Sequence, residues 1–120
     1  MSINQAVIRG ALSSVPDIRV LASGTSLATL QLTTRPSEGP AVSVPVSVTD
    51  PQGWVATLQP GDEVVVIGTV RRRFFRAGGA TASRVEVDAS VVVKSTDKRA
   101  LRRVARIAQA VVDEIMVPAA

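Results

Sequence analysis

Four valines, Val42, Val44, Val46 and Val48, alternate with Ser43, Pro45, Ser47 and Thr49, the cleanest period-two pattern in the chain and the mark of a strand with one covered face. Pro45 lies on the polar phase and has no amide hydrogen, so this strand is expected at a sheet edge or unpaired at that position. Upstream, residues 5–12 put Ala6, Ile8, Gly10 and Leu12 on one face, with Gly10 permitting a sharp bend. After the turn cluster at 13–17, the apolar stretch 18–22 continues this strand after a break or pairs again with its neighbour. Ser23-Gly24-Thr25 forms a tight turn, residues 27–34 resume extended structure, and 35–40 form a loop. The connection 50–62 is punctuated by Pro and Gly, and Trp54, Val55 and Leu58 at helical spacing predict one helical turn within it.

Residues 63–70 are apolar on both phases, as a central strand covered on both faces requires. They run into Arg71-Arg72-Arg73-Phe74-Phe75-Arg76. A Gly78-Gly79 turn follows, and the return arm 81–93 carries Val85, Val87, Ala89, Val91 and Val93 on one phase. From Thr96, a candidate cap, the period becomes helical: Leu101, Val104, Ala108, Val111 and Ile115 form an apolar seam, with Arg99, Arg102, Arg103 and Arg106 on another face. Pro118 ends the segment, leaving Ala119 and Ala120 as a frayed end. The chain therefore divides into a β domain over 1–95 and an amphipathic helix over 96–117.

Five strands, the first one bent, with a helical connection between the third and fourth, predict an all-β fold. The expected form is a five-stranded Greek-key barrel of the oligonucleotide/oligosaccharide-binding type (OB-fold) with a C-terminal α-helix. An open sandwich and an SH3-like barrel share the strand pattern.

Composition narrows the chemistry. The 120 residues include 14 Lys and Arg against 10 Asp and Glu, with no His and no Cys, for a net charge of +4. The usual zinc sites, thiol nucleophiles and His-based triads are therefore excluded; no cofactor and no metal is expected, and an enzyme is not. Asp62-Glu63 and Asp113-Glu114 are adjacent pairs that a strand or a helix would splay apart. The opening residues have no charged leader or apolar signal stretch, so the expectation is a protein without membrane attachment, cytoplasmic and nucleoid-associated. Trp54, Phe74 and Phe75 are the only aromatic side chains.

The segment Asn4-Gln5-Ala6-Val7-Ile8-Arg9-Gly10-Ala11-Leu12, then Pro16-Asp17-Ile18-Arg19, then Ser23-Gly24-Thr25-Ser26-Leu27-Ala28, resembles the opening of bacterial single-stranded DNA-binding proteins. Leu58-Gln59-Pro60-Gly61-Asp62, with the valine strand after it, and Arg84-Val85-Glu86-Val87-Asp88-Ala89 resemble that family's later strands. The likeness spans roughly residues 3–94. Two features depart from the family: Val42 and Val48 stand where it usually carries aromatics, and a basic helix stands where it usually has an acidic-tipped tail. The resemblance implies a divergent member or paralogue, a homo-oligomer (tetramer or dimer), with single-stranded DNA and other DNA-processing proteins as partners.

Holding unpaired strands needs cations for phosphates and flat rings for unstacked bases. Arg71, Arg72, Arg73, Phe74, Phe75 and Arg76 supply both. Strand alternation puts Arg72, Phe74 and Arg76 on one face and Arg71, Arg73 and Phe75 on the other, so one ring is expected in the open beside two arginines. Arg9, Arg19, Arg35 and Arg84 extend a phosphate track. The structural alternative is that both rings plug the barrel end and the arginines solubilise the tip. Trp54 is expected to seal the barrel bottom. The helix seam is expected to pack on the barrel or on a second copy; the alternatives are that Arg99, Arg102, Arg103 and Arg106 present a nucleic-acid face, or that the helix lies on a membrane surface, against which stand the lack of aromatic anchors and Asp113 and Glu114 near its end. The expected function is sequence-independent binding of single-stranded DNA in replication, repair or recombination. The alternatives are a barrel used for oligomerisation or protein interaction with weak or no nucleic-acid binding, and RNA binding.

Overall fold

Val64, Val65, Val66 and Ile67 are consecutive and all buried, so both faces of their strand are covered by something. A computed structural model describing residues 2–118 identifies the two covers. Val64 and Val66 point into a core shared with Leu30, Leu32, Val46 and Leu58. Val65 and Ile67 point the other way, into a second cluster with Val93 and with Ala100 and Val104 of the C-terminal helix. The apolar character of both phases thus has one explanation on each side.

The chain is mostly β. Its strands are β1 (Ala6–Leu12), β2 (Asp17–Val20), β3 (Ser26–Thr34), β4 (Val42–Thr49), β5 (Glu63–Ala77) and β6 (Ala80–Lys94), followed by α1 (Lys98–Ile115). The six strands form one sheet in the order β1-β5-β6-β4-β3-β2, and an additional β1–β3 pairing closes β1, β5, β6, β4 and β3 into a ring with β2 outside it on β3. All pairings are antiparallel except β4–β6, which is parallel through Val46 with Val87 and Ser47 with Asp88. There is one strand more than the five expected, because the turn at Ser13 and Ser14 cuts the first segment in two. Both pieces lie along β3, β2 against Ser26–Thr29 and β1 through Ala11 and Leu12.

Gly10 stands where β1 passes from β5 to β3. A Cβ there would come 2.7 Å from the backbone oxygen of Thr33, so the close approach that joins the ring excludes a side chain. Pro45 lies opposite Gln31 of β3, and the β6 pairing of β4 begins only at Val46. The strand expected at an edge is therefore flanked on both sides in its second half and on one side before Pro45.

One expectation about phase is corrected. Val85, Val87, Ala89, Val91 and Val93 do not share one face: a register shift between Ile67 and Gly68 pairs Ile67 with Val91 but Gly68 with Ala89, which leaves Ser90 over. Val87 and Ala89 accordingly face the ring core, whereas Val91 and Val93 face α1. The Ser90 hydroxyl donates to the carbonyl of Ile67 at 3.1 Å, taking up a backbone acceptor at the bulge.

The helix cap is Asp97 rather than Thr96: its carboxylate accepts from the Ala100 amide at 3.1 Å. Of the expected seam, Val104 is buried, and Leu101 and Ala108 pack against the β5–β6 cluster together with Ala100 and Ile107. Each fully buried aliphatic side chain here is worth about 1.5–3 kcal/mol over exposure. Val111 is half-buried and Ile115 is 64% exposed, so the seam does not extend to the end of the helix. No helix among the described residues is long and apolar enough to cross a membrane. Ala119 and Ala120, expected to be frayed, lie outside the described residues.

Candidate functional site

β5 and β6 continue beyond the ring as a hairpin, because nothing interrupts their pairing from Thr69 with Asp88 to Ala77 with Ala80. The turn is closed by Gly78 and Gly79, both at positive φ (57° and 81°), the conformation a two-residue hairpin loop demands. This arm carries the basic, aromatic segment away from the core. Its side chains alternate, and both rings are out: Phe74 is 67% exposed and Phe75 42%. The expectation of one exposed ring is surpassed, and neither aromatic side chain plugs the interior of the sheet.

Arg73 and Phe75, joined near the hairpin tip by Arg76, turn toward a groove of about 460 Å³ that crosses β2, β3, β4, β5 and β6, whereas Arg71 does not line it. Arg19, Arg73, Phe75, Arg76 and Arg84 line it, with Thr29 and Gln31 of β3 on its floor. The polar phase of β3 carries the signal for that floor: Thr29 and Gln31 alternate with buried Ala28, Leu30 and Leu32. Four guanidinium groups and two carboxylates, Asp17 and Glu86, meet in the groove, so it is net cationic.

The carboxylates are the residues that sequence reading missed. Glu86 is 1% exposed, and its Oε1 accepts from Arg73 Nε at 2.7 Å and lies 3.6 Å from Arg84 Nε. Its Oε2 is buried without a hydrogen-bond partner. A charged residue between Val85 and Val87 in a strand was the one available sign. Arg71 pairs with Asp88 at 3.0 Å, and Arg19 with Asp17 at 3.3 Å. Arg72 instead bonds the Ser83 hydroxyl at 3.0 Å, and Arg76 the Gly79 carbonyl at 3.5 Å. Neither makes an ion pair among the described residues.

Arg9 and Arg35 are not brought to the groove. They line a separate cavity of about 600 Å³ at the β1–β3 junction, where Arg9 Nε pairs with Glu63 at 2.8 Å. The cause is register: Arg9 pairs across from Val65, on the outer face of β5. Trp54 meets its expectation in part. The connection forms a 3-10 turn (Gly53–Thr57) in which Val55, with Leu58 beyond it, is the buried plug, while Trp54, half-buried at the rim, packs against the same core. Among the described residues no three acidic side chains converge as a metal site would require.

The Arg73–Glu86 contact yields an asymmetric prediction. Arg73→Met strands a buried carboxylate that retains only the long contact to Arg84, and is expected to lower stability by about 2 kcal/mol. Glu86→Gln leaves behind guanidinium groups already half in water and is expected to cost about 1 kcal/mol. Urea unfolding of the two variants checks the order; equal losses would contradict it.

No protein-family model matches this chain, and no curated protein matches it.

Proposed function

We propose that the ring of strand pairings is an OB-fold barrel and that the protein holds single-stranded DNA without sequence preference. Unpaired strands in replication, repair or recombination would be its substrate, and other DNA-processing proteins its working partners. The observation that carries the reading is the groove itself: Phe75 stands among Arg19, Arg73, Arg76 and Arg84, with the more exposed Phe74 on the other side of the same arm. Supporting the fold assignment, β1 and β2 together flank β3 like one bent strand, and the ring closes through a parallel β4–β6 pair. Phosphates would lie along the guanidinium groups and a base would rest on the Phe75 ring. No base-specific reader is needed for either contact.

Because the track is ionic, affinity for an oligo-dT strand just long enough to fill the groove is expected to fall with salt, with a slope of log affinity against log salt near −3, as about four phosphate contacts give on a single strand. Fluorescence anisotropy at a series of salt concentrations measures it. A flat response, or no binding at low salt, would remove the reading. The same titration with an oligo-U strand separates DNA from RNA.

The second reading, a homo-oligomeric assembly module with little nucleic-acid affinity, draws on the end of α1, where Val112, Ile115 and Met116 are exposed. The two are compatible in one respect: a dimer or tetramer that covers these side chains leaves the groove open on each copy.

A further inference from the structure

The end of the molecule near the start of α1 carries a second cationic, aromatic hollow. A cavity of about 420 Å³ opens between the 3-10 turn, the last residues of β6 and the first turns of α1. Trp54, Lys94, Arg99 and Arg103 line it. Its volume lies within the range of about 300–1,000 Å³ that small-molecule and cofactor sites occupy. A neighbouring cleft of about 290 Å³ shares Trp54 and Arg103, so the indole borders both spaces.

The ring here is fixed by the fold, packing on the edge of the core, while the cations around it are unspent. Lys94 Nζ sits 5.3 Å from the centroid of the Trp54 ring, and the indole N–H is occupied by Gln52 Oε1 at 2.6 Å, which holds the ring in place. None of the ion pairs among the described residues involves Lys94, Arg99 or Arg103. Asp97, the carboxylate of the cavity, is engaged as the helix cap. Arg99 and Arg103 are four residues apart on one helix face, where like charges repel, and no acidic residue in the first turn relieves them. Cations near this end of a helix also oppose its dipole. Charges kept together against repulsion, around a fixed ring in a concavity, suit an anion with a flat face.

We propose that this hollow is a second seat for the same strand: a base stacks on Trp54, displacing the Lys94 ammonium from the ring, while Lys94, Arg99 and Arg103 take the adjoining phosphates. The inference rests on the single-strand reading above. It follows a path along the β4–β6 seam, since Ser47 borders the hairpin groove and Thr49, two residues on along the same face of β4, borders the cleft shared with Trp54.

Trp54 is the only tryptophan, so its emission reports this hollow alone, whereas anisotropy of a labelled strand reports binding anywhere. The test uses the full chain and an oligo-dT strand of about 40 nucleotides, several times a barrel's usual site size. Loss of Trp54 emission that saturates together with the anisotropy is the expected result. In Arg99→Gln/Arg103→Gln the emission loss is expected to shrink and the salt slope to fall by about 1.4, the share of two single-strand phosphate contacts. Circular dichroism of the variant checks that α1 remains folded. Anisotropy that rises while Trp54 emission stays constant overturns this inference and leaves the hairpin groove standing. Absence of any anisotropy change removes both. Quenching by thymidine monophosphate alone at the same nucleotide concentration would mark the hollow as a free-nucleotide pocket, and overturns the strand path.

Discussion

Phe74→Ala/Phe75→Ala is expected to weaken binding of an oligo-dT strand by about 30-fold or more, since each stacked base contributes at least about 1 kcal/mol. The larger share should come from Phe75, which stands in the groove among four guanidinium groups, whereas Phe74 faces the other side of the arm. Both rings project from the hairpin, so their removal leaves no cavity in either core and the unfolding midpoint should stay within a degree or two, the effect of about 0.5 kcal/mol or less. Anisotropy titrations read the affinity and thermal unfolding reads the stability. Unchanged binding would show that the rings do not carry base contacts. A large loss of stability would show instead that they are part of the packing.

The second large effect falls on the frame that holds the arm. A Cβ at Gly68 would lie 2.3 Å from the backbone oxygen of Asp88 and 2.8 Å from Val87 Cγ1. The obstacle is mostly backbone in the paired strand and has no flexible end that can swing aside. Gly68→Ala is therefore expected to cost about 3 kcal/mol, the upper end of ordinary overpacking. For a chain of this size that lowers the melting temperature by roughly 10 °C. The bulge beside Gly68 sets the register of everything beyond it, from Thr69 with Asp88 to the hairpin tip. The variant should thus also lose oligo-dT affinity at temperatures where it is still folded. A calorimetric scan showing an unchanged midpoint would contradict the assigned close approach.

Strand boundaries were legible because alternation and turn residues are local signals. The strand at Val42 to Val48, the Gly78-Gly79 turn and the two apolar phases of β5 appear as expected, although along β4 Val42 is exposed and Ser47 is buried. The shared phase of Val85 to Val93 was misread, since a one-residue bulge at Ser90 reverses every side chain beyond it and Ser90 carries no local mark of that role. Candidate site residues divided along the same line. Arg71, Arg73, Phe75 and Arg76 stand on one contiguous arm, so their neighbourhood followed from adjacency. Arg19 and Arg84 joined the groove, Arg9 and Arg35 did not, and Glu86 stayed hidden among valines.

By itself, the order of residues determined which segments extend, which one coils, and that cations and rings are concentrated at one hairpin. Those outcomes depend on turns, periodicity and covalent neighbours, all of which act over a few residues. Only the tertiary structure decided which arginines share a surface, which are held by carboxylates, and that Trp54 borders a hollow while packing on the edge of the core. These depend on strand register and on the packing of α1 against β5 and β6, relations between residues tens of positions apart that no short-range pattern encodes.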